Sequence, residues 1–414
     1  MSPTERPPNQ AGNLPDFENT EQAFAHLNSR QLKKALVLFR TVGNPTLVKL
    51  GKVLMNLALA LRIPVAWAIR PTVYSHFCGG ETIAGCEPTI ANLASSDVKT
   101  ILDYSAEGKD SEVEWDRTQA EIMRAIQATE GDNRHAFSVF KVSGLASTDL
   151  LEKVGSTLKP LAKIESEITG LSDHERGAWE RVQARFYGLC EHSARIGKPV
   201  FIDAEESWIQ PTIDALAESA MRRWNREETI IYNTVQLYRT DRLDYLKSLT
   251  SFAKAEKFNV GVKLVRGAYM EKERARALSL GYPSPIQRDK AATDRDFDAA
   301  LEWCVAHLDH VSLCAGSHNE NSNALLCQNM DKLGIARNDK RVWFAQLLGM
   351  SDPISFNLAC ANYQVAKYVP YGPIAETIPY LIRRAEENTS VAGQTSRELE
   401  LIRREKDRRN RTNN

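Results

Sequence analysis

The sequence lacks most of the features that mark a specialised protein. Its seven cysteines, Cys78, Cys86, Cys190, Cys304, Cys314, Cys327 and Cys360, are odd in number, scattered, and include no Cys-x-x-Cys pair. That usage gives neither a disulfide framework nor a metal site, and it fits a reducing compartment. Net charge is absent as well, with 53 basic side chains against 53 acidic ones. A neutral chain has no broad basic face to displace phosphate counterions, so no nucleic-acid partner is expected. The most apolar stretch, residues 47–69, is broken by Lys49, Lys52, Arg62 and Pro64, which makes a transmembrane helix unexpected. The first twenty residues have no apolar signal core and carry Glu5, Asp16 and Glu18, unlike a secretory signal or an acid-poor transit peptide. No G-x-G-x-x-G follows any apolar run, which removes the usual dinucleotide fingerprint.

What is present is the composition of a globular protein: 414 residues, 43% hydrophobic and 26% charged. Residues 1–20, polar and rich in Pro and Asn, are expected to be disordered, and helical periodicity over 21–96 suggests an N-terminal helical region. Beyond it, short apolar or β-branched runs alternate with amphipathic helical stretches, at 99–104, 138–142, 199–203, 229–237, 259–265, 311–315, 342–345 and 365–369. Strand-then-helix alternation implies parallel pairing, and eight units favour a closed (β/α)8 TIM-type barrel over 97–392. The gap over 150–195 exceeds one crossover and predicts an extra helix. Residues 393–414 read as a charged C-terminal helix or tail.

In such a barrel, functional groups gather where strands end. The polar residues at those ends are Asp103, Glu107, Lys141, Asp203, Glu205, Glu206, Gln236, Lys263, Arg266, His318, Asn319, Gln346 and Tyr368. In NVGVKLVRGAY the pleat puts Val260, Val262 and Leu264 on one side and Lys263 on the other. A buried ammonium needs a partner: Lys263 and Lys141 are each either paired with a neighbouring carboxylate or reaching the barrel end, or together part of an anion site or a Schiff-base site, which two such lysines on separate strands favour more than one alone. Asp203, Glu205 and Glu206 suit a metal site, an acid/base pair, ligand hydrogen bonding, or merely the first turn of a helix. His318 is a base, a ligand contact or an ordinary hydrogen-bonding residue. If 376–387 is helical, Tyr380, Arg383, Arg384 and Glu387 share one face, suited either to gripping a carboxylate or to solvated ion pairs.

The segments ILDYSAE, FKVSGL, FIDAEES, YNTVQLY, VKLVRGAYM, GSHNEN, QLLGMSD, KYVPYGP and PYLIRRAEEN, in this order over 98–390, resemble the proline dehydrogenase family. The likeness is stronger to its monofunctional, mitochondrial-type members than to the barrel of bifunctional bacterial proteins. It implies a distorted (β/α)8 barrel that binds FAD and oxidises L-proline to Δ1-pyrroline-5-carboxylate by hydride transfer to flavin N5. Electrons would pass to a membrane quinone, which implies peripheral membrane contact from the cytoplasm or, in a eukaryote, from the matrix side of the inner membrane. By position, Lys263, Asp203 and Tyr368 stand at the reacting centre. Lys141, Arg383 and Arg384 match the carboxylate clamp, Tyr269, Leu347 and Tyr380 the walls around the substrate ring, and Glu107 a gate paired with Arg383. The flavin positions are Gln236, Lys263, the backbone of Val265, Gly267 and Ala268, then Lys290, His318, Asn319 and Glu387; no metal is implied. Lysine at 263, where the bifunctional proteins carry arginine, offers a point charge in place of a planar fork. Two alternatives stay open: hydroxyproline oxidation, which the bulk and hydroxyl of Tyr368 disfavour, and a Schiff-base lysine aldolase on the same barrel.

Overall fold

The computed structural model describes residues 14–61, 65–105, 110–161, 164, 168–390 and 394–412. Eight strands, β1 (Lys99–Tyr104), β2 (His135–Lys141), β3 (Val200–Asp203), β4 (Ile231–Gln236), β5 (Val260–Val265), β6 (Val311–Gly316), β7 (Val342–Leu347) and β8 (Val365–Tyr371), close a barrel in sequence order. Every pairing is parallel, and β8 returns to β1. The expected (β/α)8 architecture is therefore present. The run expected to end at Ala345 continues to Leu347, because the ladder pairs Gln346 with Lys367 and Leu347 with Tyr368.

Before the barrel come α1 (Thr20–Ala23), α2 (Ser29–Val42), α3 (Pro45–Ala60), α4 (Ala66–Ile69) and α5 (Glu87–Ala94). Of the segment expected to be disordered, residues from Leu14 are described, and Phe17 is already buried. The crossovers are α6 (Glu112–Gln127), α7 (Thr148–Gly155), α8 (Asp173–Arg195), α9 (Gln210–Trp224), α10 (Arg242–Glu256), α11 (Met270–Leu280), α12 (Lys290–Ala306), α13 (Glu320–Lys332), α14 (Asp352–Cys360) and α15 (Ile374–Ser390). Among the described residues, α7 and α8 lie in the long gap between β2 and β3, as its length predicts. The last element, α16 (Gln394–Thr412), packs on α2.

Strand parity sorts the core. Val260, Val262 and Leu264 of β5 face the helix layer with Val311, Leu313 and Phe344. Phe137, Phe201, Tyr232, Ala345 and Tyr368 face the axis. Phe137 stacks on Phe201 at 4.1 Å between centroids, with Tyr232 and Trp343 edge-on to Phe137. These rings plug the lower barrel, as a packed interior requires. Groups one pleat higher on β2, β3, β5 and β8 form the floor of a cup.

Candidate active site

The floor of the cup is charged. Asp203 ends β3 and stands beside Lys141 in register on β2. Its carboxylate accepts from Lys141 Nζ at 3.1 Å and from Lys263 Nζ. Lys263 also donates to the Tyr368 hydroxyl at 2.5 Å and lies over the rings of Tyr368 and Phe201 at 4.7 and 5.1 Å. Burial pushes the Asp203 carboxyl up, but the ammonium groups of Lys263 and Lys141 overcome it and hold the value below the usual range. Burial also raises the Tyr368 phenol well above its ordinary value, so this hydroxyl stays protonated. Glu205 follows Asp203 and turns back to β2, where it accepts from the Ser143 N–H at 2.9 Å and from the Ser143 hydroxyl. Burial drives its carboxyl up to about 7. Glu206 turns outward to Lys272, so the two adjacent acids have separate roles.

One wall is the helix expected to carry two guanidiniums. That helix exists as α15, longer than anticipated and with Pro379 inside it. Arg384 is buried and its guanidinium lies 5.3 Å from the Tyr380 ring. The charge of Arg383 reaches Tyr269, whose phenol is raised by burial and then by Glu205, against Lys141 and Arg383. The charge of Arg384 reaches His318. Leu347 packs between Tyr368 below and the cluster of Ile378 and Tyr380 above. Tyr269 thus lies within charge range of both Lys141 and Arg383, and Leu347 and Tyr380 pack in one apolar cluster.

A second group of polar residues lies at the ends of β4, β5 and β6 and at the start of α12. Gln236 is buried at the end of β4, in register with Val265. Past β5 the chain turns through Gly267 at φ +139°, and a Cβ there would sit 2.4 Å from the Tyr238 ring; only glycine lets this backbone pass. Arg266 donates to Asp294, Ser317 and Ser322 at 2.7, 2.9 and 3.0 Å. Lys290, exposed at the start of α12, shares Asp294 at 2.6 Å. Asn319 caps α13 by accepting from the Ser322 N–H at 3.1 Å. His318 Nδ1 meets Ser351 Oγ at 2.9 Å, and burial, then the charges of Lys367, Arg384 and Arg266, push its pKa down to about 3. A neutral imidazole can make contacts there but cannot act as a cation. Glu107 and the Glu387 side chain lie outside the described residues. No group of His, Cys, Asp and Glu suited to a metal occurs among the described residues.

With this geometry in place, the model of the proline dehydrogenase family matches residues 86–397. The chain belongs to the proline dehydrogenase family. It is 32% identical to the carbapenem antibiotics biosynthesis protein CarD of Pectobacterium carotovorum, covering 80% of this chain and 83% of that protein. It is 29% identical to proline dehydrogenase 1, mitochondrial, of Arabidopsis thaliana, over 98% and 88% of the two chains. The fold is shared with proline utilization A from Bdellovibrio bacteriovorus, at a TM-score of 0.69 and 19% identity, over 91% of this chain and 38% of that longer one.

Proline dehydrogenases are oxidoreductases, and the donor set here fits a flavin dinucleotide. Two cations, Arg266 and Lys290, converge on Asp294 beside the start of α13, which suits a pyrophosphate. Lys263 and Gln236, on neighbouring strands, present polar atoms where the cup narrows. Sequence reasoning assigned Lys290 and the 265–268 backbone to the flavin and named Arg266 only as a polar strand-end residue, without the bonds its side chain makes to Asp294, Ser317 and Ser322. It also missed the clamp from Glu205 to Ser143, because acids following a strand read equally well as helix-starting residues.

Proposed function

We propose that the chain is an FAD-dependent proline dehydrogenase that oxidises L-proline to Δ1-pyrroline-5-carboxylate. The observation that carries this reading is the pair of ammonium groups, Lys141 and Lys263, held by one buried carboxylate, Asp203, beneath a helix bearing Arg383 and Arg384. Lys141, Arg383 and Arg384 grip the substrate carboxylate; a bidentate guanidinium fixes orientation as well as position. Tyr269, Leu347, Tyr368 and Tyr380 enclose the ring, and Glu107 gates it by pairing with Arg383. FAD, held by Gln236, Lys263, the Val265–Ala268 backbone, Lys290, His318, Asn319 and Glu387, supplies the hydride acceptor for C5 of proline. The chain supplies alignment, water exclusion and fixed charge, while the cofactor carries the chemistry. Asp203 fixes Lys263, so the ammonium is preorganised with no reorientation at the moment of reaction.

Electrons leave by way of a membrane quinone, so the protein works as a peripheral membrane enzyme. Its compartment is reducing: a cytoplasm or, as for the Arabidopsis relative, a mitochondrion. No helix among the described residues is long and apolar enough to cross a membrane. The test is the visible spectrum of the purified protein before and after anaerobic addition of L-proline, with hydroxyproline in parallel. Flavin bands that bleach with proline, and far less with hydroxyproline, are expected. A colourless protein that FAD does not reconstitute would overturn the reading.

A further inference from the structure

Residues 22–80 contain no aspartate or glutamate, yet they carry Arg30, Lys33, Lys34, Arg40, Lys49, Lys52, Arg62 and Arg70. In a chain of zero net charge, this layer is therefore strongly cationic and the rest correspondingly acidic. The structure shows where the charge points. On α2, Leu32, Ala35, Leu36 and Phe39 are buried. Its outer face presents Val37, 62% exposed, with Lys33 and Lys34 one turn before it and Arg40 one turn after. On α3, Leu47, Leu50 and Val53, at i, i+3 and i+6, are 47%, 54% and 63% exposed, with exposed Lys49 among them. Trp67 on α4 is 78% exposed. Among the described residues, Arg30, Lys33, Lys34, Arg40 and Lys49 make no recorded ion pair, in contrast to the basic C-terminal helix. There Arg404 pairs with Glu18, Arg408 with Glu21 and Glu405, and Arg409 with Glu405.

From this pattern we infer that the outer face of α2, α3 and α4 docks on an anionic lipid bilayer. Large apolar side chains ringed by long cationic ones are what an interfacial helix presents: the apolar groups enter the acyl boundary while the ammonium and guanidinium groups stay at the lipid phosphates. A second copy of the chain does not suit this surface. A two-fold contact would set the same acid-free cations against themselves. The face also backs onto the functional site, since α3 packs on α15 and Met55 joins the cluster that holds Ile378, Tyr380 and Leu381. The lipid surface thus lies directly behind the arginine helix. That this position serves electron delivery to quinone rests on the proposed function; the docking surface does not.

The test is co-flotation of the full chain with phosphatidylcholine vesicles containing or lacking phosphatidylglycerol. The parent should float with the anionic vesicles only, and less so at high salt. Leu50→Glu/Val53→Glu and Lys33→Glu/Lys34→Glu should each lower bound protein by about tenfold or more, whereas Arg403→Glu/Arg411→Glu on α16 should not. Proline-dependent reduction of a soluble dye, unchanged in all variants, shows that they fold. A parent that does not float, or that floats equally after the α2 and α3 substitutions, overturns the inference. So does a dimeric parent that becomes monomeric in Leu50→Glu/Val53→Glu without any vesicle binding, since the face would then join two copies. Flotation without any proline turnover in the parent sinks the proposed function and leaves the lipid surface standing.

Discussion

At the scale of the residue, the unusual group is Glu205, a buried carboxylate two residues after the Asp203 hub. It holds Ser143, two residues after Lys141, so it braces the strand end that carries one arm of the proposed carboxylate clamp. Its pKa of about 7 lies above the ~4.3 of an unfolded glutamate. Between those values the folded chain keeps a proton that the unfolded chain has lost, so stability falls as pH rises from about 4.3 to 7 and then levels, by roughly 4 kcal/mol in all. Glu205→Gln keeps an acceptor for the Ser143 N–H and removes the titration. Its melting temperature should therefore fall less than the parent's between pH 5 and 7; an identical slope would show that another group titrates there. Glu218 and Glu398, both pushed by burial to about 8, contribute the same sign in both proteins and cancel in the comparison. Lys141, Asp203 and Lys263 were legible in the sequence because strand parity and strand ends sort inward polar groups. Glu205 was not separable from Glu206, since direction within a turn is set by the neighbours it meets.

At the scale of the element, the decisive piece is the turn from β5 into α11. Strands were legible because each is a short apolar run between helical stretches, and the error at β7 came from a ladder partner that local sequence does not reveal. The turn was legible only as a polar strand end, since a backbone at φ +139° pressed against Tyr238 is a tertiary fact. Gly267→Ala places a methyl group into the Tyr238 ring at a backbone angle that costs alanine about 1–3 kcal/mol. The variant should melt lower and retain less flavin after gel filtration. Gly188→Ala is the control: this helical glycine has nothing within 4 Å of an added Cβ, and alanine there should be neutral or stabilise by about 0.5–1 kcal/mol. Equal flavin retention in the two variants would remove the turn from the cofactor site.

At the scale of the molecule, the helices α1 and α2 and the helix α16 form one collar packed on α14 of the barrel. Leu401 and Ile402 of α16 share a core with Phe24, Leu32, Leu36 and Phe39. Arg409 donates to the carbonyls of Phe24 and Leu27 at 2.8 Å each, closing the end of α1. Arg397 and Arg404 both reach Glu18. Inside this collar a buried charge cluster anchors α14: Lys367, fully buried, pairs with Asp352 at 2.8 Å, and His26 approaches the same carboxylate at 3.3 Å. Glu398 accepts from the Ser351 N–H at 3.1 Å, and Ser351 meets His318. None of this was legible, because eleven of the nineteen residues of α16 are charged, which reads as a solvated tail; two apolar side chains carry its docking. Fully burying a Leu, Ile or Phe side chain is worth about 1.5–3 kcal/mol, whereas exposed ion pairs contribute about 1 kcal/mol or less, so Leu401 and Ile402 outweigh the arginines. Removal of residues 394–414 should therefore expose the α1–α2 core without unfolding the barrel, whose ladder closes on itself through β8 and β1. Limited trypsin digestion followed by mass spectrometry should find cuts at Arg30, Lys33, Lys34 or Arg40 many times faster than in the full chain, with residues 97–390 still protected. Replacing Leu401 and Ile402 by serine should reproduce that pattern, whereas neutralising Arg397 and Arg404 should shift it far less; the opposite order would make the ion pairs, and not the apolar contact, the clasp.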